Sequence, residues 1–546
     1  MHRVYFLFFF TVMSCSLADS TFRSPQWEQI TLEIVSAQIY QNPYTDVAVY
    51  AIFSHSDYGQ IRRPAFWDGG DTWKIRFASP VSSGIWTWKT FSSNPSDGGL
   101  HGQTGRLRAV RYMADNPLIN RGLLKMSEGG RNVVHADGSP FLVVADTPWA
   151  LLWRATYEDA LVYARDRQQK GFNAALLMSF CPDMHAEGPD ARATDHGFVR
   201  AFEDIGEGHI HKIIVPYFQY TDSLISILID YGIVPVYQPI FHGFGWKGQG
   251  SLGNHVAEKE YERYMTYLIA RYGARPAIWL VCGDGDCRSA SVEAAGQVTQ
   301  IWDDYQQPTG LHYSPYDDGT PSWWDRPYPF DGHRNMSFQA EEWLDFQWCQ
   351  TGHGNEHQFH KVERMYDNKP VRGVANGEPT YEGLGHPGNG QGWWQGHDAW
   401  GQLMYGGTMG VVYGAGGLWN WKITADEEGW GSWANSLVSW REALDLSGST
   451  YVGYVGKALR GIDMVDIERI KRPGGGYFLM KEGKTAVAYL EQGGDITIEG
   501  LAKGLPYEWF NPQTGQVVSK DHTVSDPQNF SAPDTNPWVL IAGKRK

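Results

Sequence analysis

The chain is poor in cysteine, in long apolar runs and in positive charge. It has 5 cysteines in 546 residues, too few for a disulfide scaffold. Cys181 and Cys349 stand far from any other, and Cys282 and Cys287 have a spacing that matches no zinc pattern with nearby histidines. The cysteines therefore read as small buried hydrophobes, with one disulfide as the alternative, and no metal ligands or cofactor are expected. The apolar run Val4–Met13 follows His2 and Arg3; it fits the core of a signal peptide and is too short to span a bilayer. Two endings are open: cleavage after Ser16-Leu17-Ala18, which makes 1–18 the leader, or a lipobox-like Val12-Met13-Ser14-Cys15 with a lipid on Cys15. Either way the expectation is export, with the protein secreted, periplasmic or lipid-anchored at a bacterial cell envelope. No later run is long enough for a membrane helix. Lys and Arg number 46 against 61 Asp and Glu, a net charge of −15. Such a chain lacks the basic face that nucleic acid or an anionic membrane requires. Aromatic residues, by contrast, abound: 24 Trp, 29 Tyr and 24 Phe. So many flat rings suggest a site that stacks a ligand, and a sugar ring fits an acidic protein best.

Three regions differ in texture. Residues 22–110 read as short strands (Thr31–Val35, Val47–Phe53, Trp73–Phe77, Ile85–Thr90) separated by turns such as Asp68-Gly69-Gly70-Asp71, the pattern of a β-sandwich. Residues 115–445 alternate short apolar strands with helical periods. The strands are Phe141–Ala145, Asn173–Met178, Ile233–Ile240, Ala277–Cys282, Gly310–Ser314, Leu344–Trp348, Val371–Asn376 and Gly410–Tyr413; the helices include Tyr157–Lys170, Asp222–Tyr231, Ala257–Tyr272 and Val292–Tyr305. Eight such units make an α/β chain with a (β/α)8 TIM barrel. An open doubly wound sheet is the alternative, but the first strand leads into Asp146-Thr147-Pro148-Trp149 rather than a glycine-rich phosphate turn. Residues 450–545 return to short strands, a second β-sandwich.

Barrel chemistry collects at the C-terminal ends of the strands. Those ends offer Asp146 and Trp149, then His242 and Trp246, Asp284, His312, His353, the run Glu378-Pro379-Thr380-Tyr381-Glu382, and Trp419. Two carboxylates on one rim framed by aromatic and imidazole groups suit glycoside hydrolysis. That reaction needs one carboxyl to protonate the leaving oxygen and another, ionised, to stabilise or attack the anomeric centre. Asp284 follows an apolar strand, where desolvation would raise its pKa and fit it to the acid role. Glu378 sits in a Gly-Glu-Pro turn that would hold it toward the barrel axis. Asp286, Glu341, Glu342 and Glu382 are rival acids, and any histidine or tryptophan taken singly is as easily structural.

At these residues the chain resembles a known family. Ala145-Asp146-Thr147-Pro148-Trp149, Gly171-Phe172-Asn173, Trp279-Leu280-Val281-Cys282-Gly283-Asp284, Asp345-Phe346-Gln347, Gln350-Thr351-Gly352-His353 and Gly377-Glu378-Pro379-Thr380-Tyr381-Glu382 resemble the barrel of apiosidase-like glycoside hydrolases. Phe66-Trp67-Asp68-Gly69 resembles an uncharacterised sandwich that precedes such barrels. Trp509-Phe510-Asn511-Pro512-Gln513-Thr514-Gly515 resembles a C-terminal module labelled collagen-binding, a label that implies no collagen ligand. The resemblance implies Asp284 as acid/base and Glu378 as nucleophile. It departs from the family pattern at Cys282, where a glycine is usual, and at Thr351, where serine is usual.

The expectation is thus an exported three-domain glycosidase, apiosidase-like, that acts on plant or algal polysaccharide side chains or oligosaccharides by a two-carboxylate, retaining route. Asp284 and Glu378 would be catalytic. Asp146, Trp149, His242, Trp246, His312, His353, Tyr381 and Trp419 would hold the carbohydrate. The alternatives are a non-catalytic carbohydrate-binding or adhesion protein and a polysaccharide lyase. Oligomeric state has no signature in the sequence.

Overall fold

The computed structural model describes residues 22–186, 200–243, 250–284, 287–313, 337–385, 388–428 and 435–545. The expected leader with Cys15, together with Trp246 and Asp286, lies outside the described residues. Two compact units emerge, the N-terminal strands in one and the barrel with the C-terminal sheets in the other.

In the N-terminal unit seven strands form a continuous sheet that folds into two layers. Gly59–Trp67 makes the crossing: its first half pairs with Val49–His55 and its last residues, Ala65–Trp67, with Thr72–Ala78. Alternation in Val49–His55 buries every second residue, so that one face meets the other layer. There Phe53 stacks on Phe77 with ring centroids 4.1 Å apart, and Trp86 meets Phe77 edge-on.

The second region closes into a barrel of eight parallel strands: β1 (Val143–Asp146), β2 (Ala174–Met178), β3 (Val234–Gln238), β4 (Ile278–Gly283), β5 (Thr309–Tyr313), β6 (Phe346–Gln350), β7 (Gly373–Glu378) and β8 (Gly410–Tyr413). β1 pairs with β8, which completes the ring and excludes the open sheet. Nearly every residue of these strands is buried, which is why most of them read as apolar runs. Helix Tyr157–Lys170 starts where Thr156 and Asp159 cap each other reciprocally and ends at Gly171 in the left-handed conformation.

The barrel extends past the expected limit at 445. Helix Gly448–Leu459 packs on β1 and β8, so the boundary expected at 450 falls inside it. Two glycines permit the approach: a Cβ on Gly453 would stand 2.2 Å from the Lys170 carbonyl oxygen, and one on Gly456 2.8 Å from that of Gly171.

The C-terminal sheets begin at Glu468–Lys471. Six antiparallel strands form one sheet and Asp495–Ile498 with Gln528–Ser531 a second. Ile496, Ile498 and Phe530 of the ribbon share a core with Trp509, Trp538 and Leu540 of the larger sheet; each such side chain is worth about 1.5–3 kcal/mol when fully buried. Among the described residues no helix is long and apolar enough to cross a membrane.

Candidate active site

The C-terminal ends of the barrel strands converge on a narrow cavity lined by Trp149, Met178, Gln238, Phe241, Asp284, His312, Glu378 and Trp419. Five of these, Trp149, Asp284, His312, Glu378 and Trp419, are residues the sequence singled out. A larger hollow opens elsewhere, lined by Leu118, His135, Phe141, Gly171 and Leu459. It borders the residue that begins β2 and the helices that lead into the strands, the end of the barrel away from the carboxylates, and it holds no carboxylate.

Both acids stand beside irregularities in the sheet. The β4–β5 register slips between Leu280 and Cys282, and the β6–β7 register between Cys349 and Gln350. An extra residue in a strand re-aims the side chains that follow it. At β7 the extra residue is Gly377; a Cβ there would press on Trp348 at 2.9 Å and on the His312 ring at 3.1 Å. Asp284 adopts a left-handed backbone (φ 73°), a conformation that costs a non-glycine residue about 1–3 kcal/mol. Its N–H donates to the His312 carbonyl at 2.9 Å. A disulfide joins Cys282 to Cys287 and so brackets Asp284. The reading of all the cysteines as free apolar side chains is corrected here; Cys181 and Cys349 are the buried free thiols. The cysteine that departs from the family pattern at 282 is one end of this bond.

Electrostatics separate the two acids. Burial, with the charge of Glu378 added, pushes the Asp284 carboxyl up to about 8. Burial raises Glu378 too, but the hydrogen bond from His353 and the attraction of His312 and His353 outweigh it, so this carboxyl lies below its ordinary value. His353 Nε2 is 3.0 Å from Glu378 Oε1, while the Tyr381 N–H faces Nδ1 at 3.4 Å, which leaves Nε2 to donate. His312 Nε2 lies 3.4 Å from Glu378 Oε2, and burial holds its imidazole below the usual pKa. The Gln350 amide favours the ionised form of both acids. Near pH 7 the pair thus holds one proton on Asp284 and a negative charge on Glu378. That is the division of labour a two-carboxylate hydrolysis needs.

The remaining expected residues divide. Trp149 stacks on His312 with centroids 5.8 Å apart and donates from Nε1 to the Tyr381 hydroxyl at 2.7 Å, so Tyr381 braces the cavity wall from behind. His242 is buried beside the rim, with Nδ1 3.1 Å from the Ile240 carbonyl, and does not line the cavity. Asp146 is turned away from it. Its carboxylate is fully buried, paired with Arg167 and bonded to the Thr147 N–H; it is a structural ion pair instead of a sugar contact. The rival Glu382 is locked as well. It accepts from the Tyr413 hydroxyl and from the N–H groups of Gly392 and Gly448. Glu341 and Glu342 precede β6 and so lie at the opposite end of the barrel from the cavity.

Sequence reasoning passed over Gln238. It ends β3, is buried, and neither atom of its amide has a hydrogen-bond partner. Gly283 makes room for it, since a Cβ there would overlap the amide nitrogen at 1.4 Å. The signal available was its place as the last residue of a barrel strand.

With this geometry in hand, comparison with known proteins is direct. A family model for the apiosidase-like catalytic domain matches residues 127–466, and one for a domain of unknown function (DUF5060) matches residues 23–93. No curated protein matches the chain. Among solved structures, a candidate glycoside hydrolase of Bacteroides vulgatus ATCC 8482 superposes with TM-score 0.68 at 16% identity, covering 96% of this chain and 100% of that one. A glycoside hydrolase family 5 protein of the same organism gives TM-score 0.60 at 17% identity, over 78% of this chain and 94% of its own. A further structure, named a glycoside hydrolase, gives 0.59 at 18% identity, over 78% and 97%. At these identities the neighbours establish the fold. The protein is a glycoside hydrolase in class. Since the catalytic-domain model spans more than half of the sequence, the chain belongs to the apiosidase-like family.

Proposed function

We propose that the protein cleaves glycosidic bonds in plant or algal polysaccharide side chains or oligosaccharides with retention of anomeric configuration. Asp284 protonates the leaving oxygen while Glu378 attacks the anomeric carbon. Asp284, now ionised, then takes a proton from the water that releases the sugar. The observation that carries this reading is the opposed shift of two carboxyls in one cavity: Asp284 raised to about 8, Glu378 lowered. Retention is the finer part of this reading, and the separation of the two carboxyls decides it: ~5–5.5 Å for double displacement against ~6.5–9.5 Å for inversion. Trp149, Trp419 and Phe241 offer apolar faces for a sugar ring. Gln238, buried without a partner, and His312, neither of whose ring nitrogens makes an aligned hydrogen bond, are suited to meet its hydroxyls. Export, by leader cleavage or by a lipid on Cys15, belongs to the same proposal and rests on the N-terminal sequence.

The test is a panel of pectic and algal oligosaccharides followed by proton NMR. New reducing ends that first appear in the substrate's anomeric configuration are expected. Inverted product would remove Glu378 from the nucleophile role. Ultraviolet-absorbing unsaturated ends would make the protein a lyase, and binding without any product an adhesion module.

A further inference from the structure

Outside the cavity, the segment after β2 brings together a second group of chemically active side chains. Residues 201–214 double back on themselves: Glu203 N–H donates to the Lys212 carbonyl, Ile214 N–H to that of Ala201, and Phe202 bridges Ile213. Along the returning arm, Ile210 is fully buried while His209 and His211 on either side are 49% and 41% exposed in their side chains. Alternation in an extended chain places residues i and i+2 on one side. The two imidazole rings accordingly lie nearly parallel, centroids 5.2 Å apart. Both face one atom. His209 Nδ1 is 2.9 Å and His211 Nε2 3.3 Å from Glu260 Oε1, and the three donor atoms lie within 4.8 Å of one another.

A proton serves this arrangement poorly. Two imidazolium ions stacked face to face repel, and a single carboxylate oxygen is shared between them. A divalent ion serves it well. Ligands held about 2.0–2.1 Å from a tetrahedral Zn2+ lie about 3.3 Å from each other, so the His211–Glu260 spacing fits as it stands and the His209–Glu260 spacing needs to open by a few tenths of an ångström. The surroundings are built in the same sense. Glu260 Oε2 accepts the Ile210 N–H at 2.8 Å, which fixes the carboxylate. Asp204 accepts from the backbone N–H groups of His211 and Lys212, and its Oδ2 stands 3.8 Å from His211 Nδ1, the ring nitrogen turned away from Glu260. A carboxylate behind a ligating histidine orients the ring and raises its basicity.

We propose that His209, His211 and Glu260 form a binding site for one divalent transition-metal ion, Zn2+ by choice of donors, with the fourth position open to water. None of the three lines the carboxylate cavity. The ion ties the 201–214 segment to the start of helix Glu258–Tyr272, so its role is to fasten a loop on the carboxylate-bearing rim of the barrel, and it takes no part in bond cleavage.

The experiment uses the full chain without an affinity tag, stripped with a chelator and dialysed. Zn2+ is titrated against a chromophoric competitor, and Co2+ is added separately for its visible absorption. The wild type is expected to take up one tight equivalent and to give the intense visible bands of four-coordinate Co2+. His209→Gln and His211→Gln, whose side chains are half exposed and whose folding circular dichroism checks, are expected to lose that equivalent. Asp204→Asn is expected to keep it with affinity about 10–100-fold weaker. Absence of tight uptake by the wild type overturns the site. So does uptake that both glutamine variants retain, because the ion would then lie elsewhere.

Discussion

Asp146, Glu382, Asp284 and Glu378 stand at or just past the C-terminal ends of barrel strands, and they form two contrasting pairs. Asp146 and Glu382 are each enclosed by donors: Arg167 and the Thr147 N–H around the first, the Tyr413 hydroxyl and two backbone N–H groups around the second. Asp284 and Glu378 face a cavity, where the charge of Glu378 helps hold the Asp284 carboxyl protonated. All four are carboxyls, and each stands at the C-terminal end of a strand or in the few residues that follow it. The difference lies in what surrounds the oxygens, for a carboxylate whose lone pairs are already satisfied has nothing left to offer a substrate.

The contrast can be broken most severely at Glu378. Glu378→Gln preserves shape and removes the anion, so kcat/KM on the substrate found by the oligosaccharide panel should fall by about 10⁴-fold or more, with the melting temperature little changed; wild-type turnover would erase the distinction between the pairs. Asp284→Asn comes next, with an expected loss of about 10²–10⁴-fold. This loss should shrink on aryl glycosides whose leaving group needs no proton, which steady-state kinetics on a leaving-group series would read. The pH profile sharpens the same point. The proposed mechanism requires protonated Asp284 and ionised Glu378, so kcat/KM should fall as pH rises through about 8 and fall again at low pH, below the normal carboxylate range. The basic limb should vanish in Asp284→Asn. For the enclosed pair the effect belongs to stability. Asp146→Asn leaves the buried Arg167 with only the partly exposed Asp166 as counter-charge and should cost up to about 3–5 kcal/mol in urea unfolding. The smallest effect is expected at Glu382→Gln, which keeps the shape but weakens three hydrogen bonds, about 1–3 kcal/mol by the same measurement.

The barrel was legible because fully buried parallel strands read as short, mostly apolar segments; the pattern is plainest in β1, β2 and β4 and is broken by His312 in β5, Gln347 in β6 and Asn376 in β7. Helices Phe359–Asp367, Trp393–Met404 and Gly448–Leu459 were less legible. The last two carry glycines, poor helix formers, that serve close packing: a Cβ on Gly401 would meet the Phe359 ring at 2.2 Å. At the site, position along a strand identified Asp284 and Glu378 and equally well Asp146, since nothing local to Asp146 reveals that Arg167 will fold back over it. Gln238 carries no motif, and although Gln350 opens the run Gln350-Thr351-Gly352-His353, the part each plays appears only when other strands arrive beside it. His209 and His211 were invisible for a related reason, as their third partner is Glu260, distant in sequence and recruited by the fold.

The covalent loop between Cys282 and Cys287 has a consequence for how the enzyme comes to be active. It encloses Asp284, the proposed proton donor, whose own backbone is left-handed, while the barrel strands close by backbone pairing that involves no sulfur chemistry. A chain that folds in thiol-rich surroundings can therefore complete its architecture with the donor's tether still open. Competence would then arrive as a separate oxidative step, so that maturation, unlike folding, depends on the compartment the chain has reached.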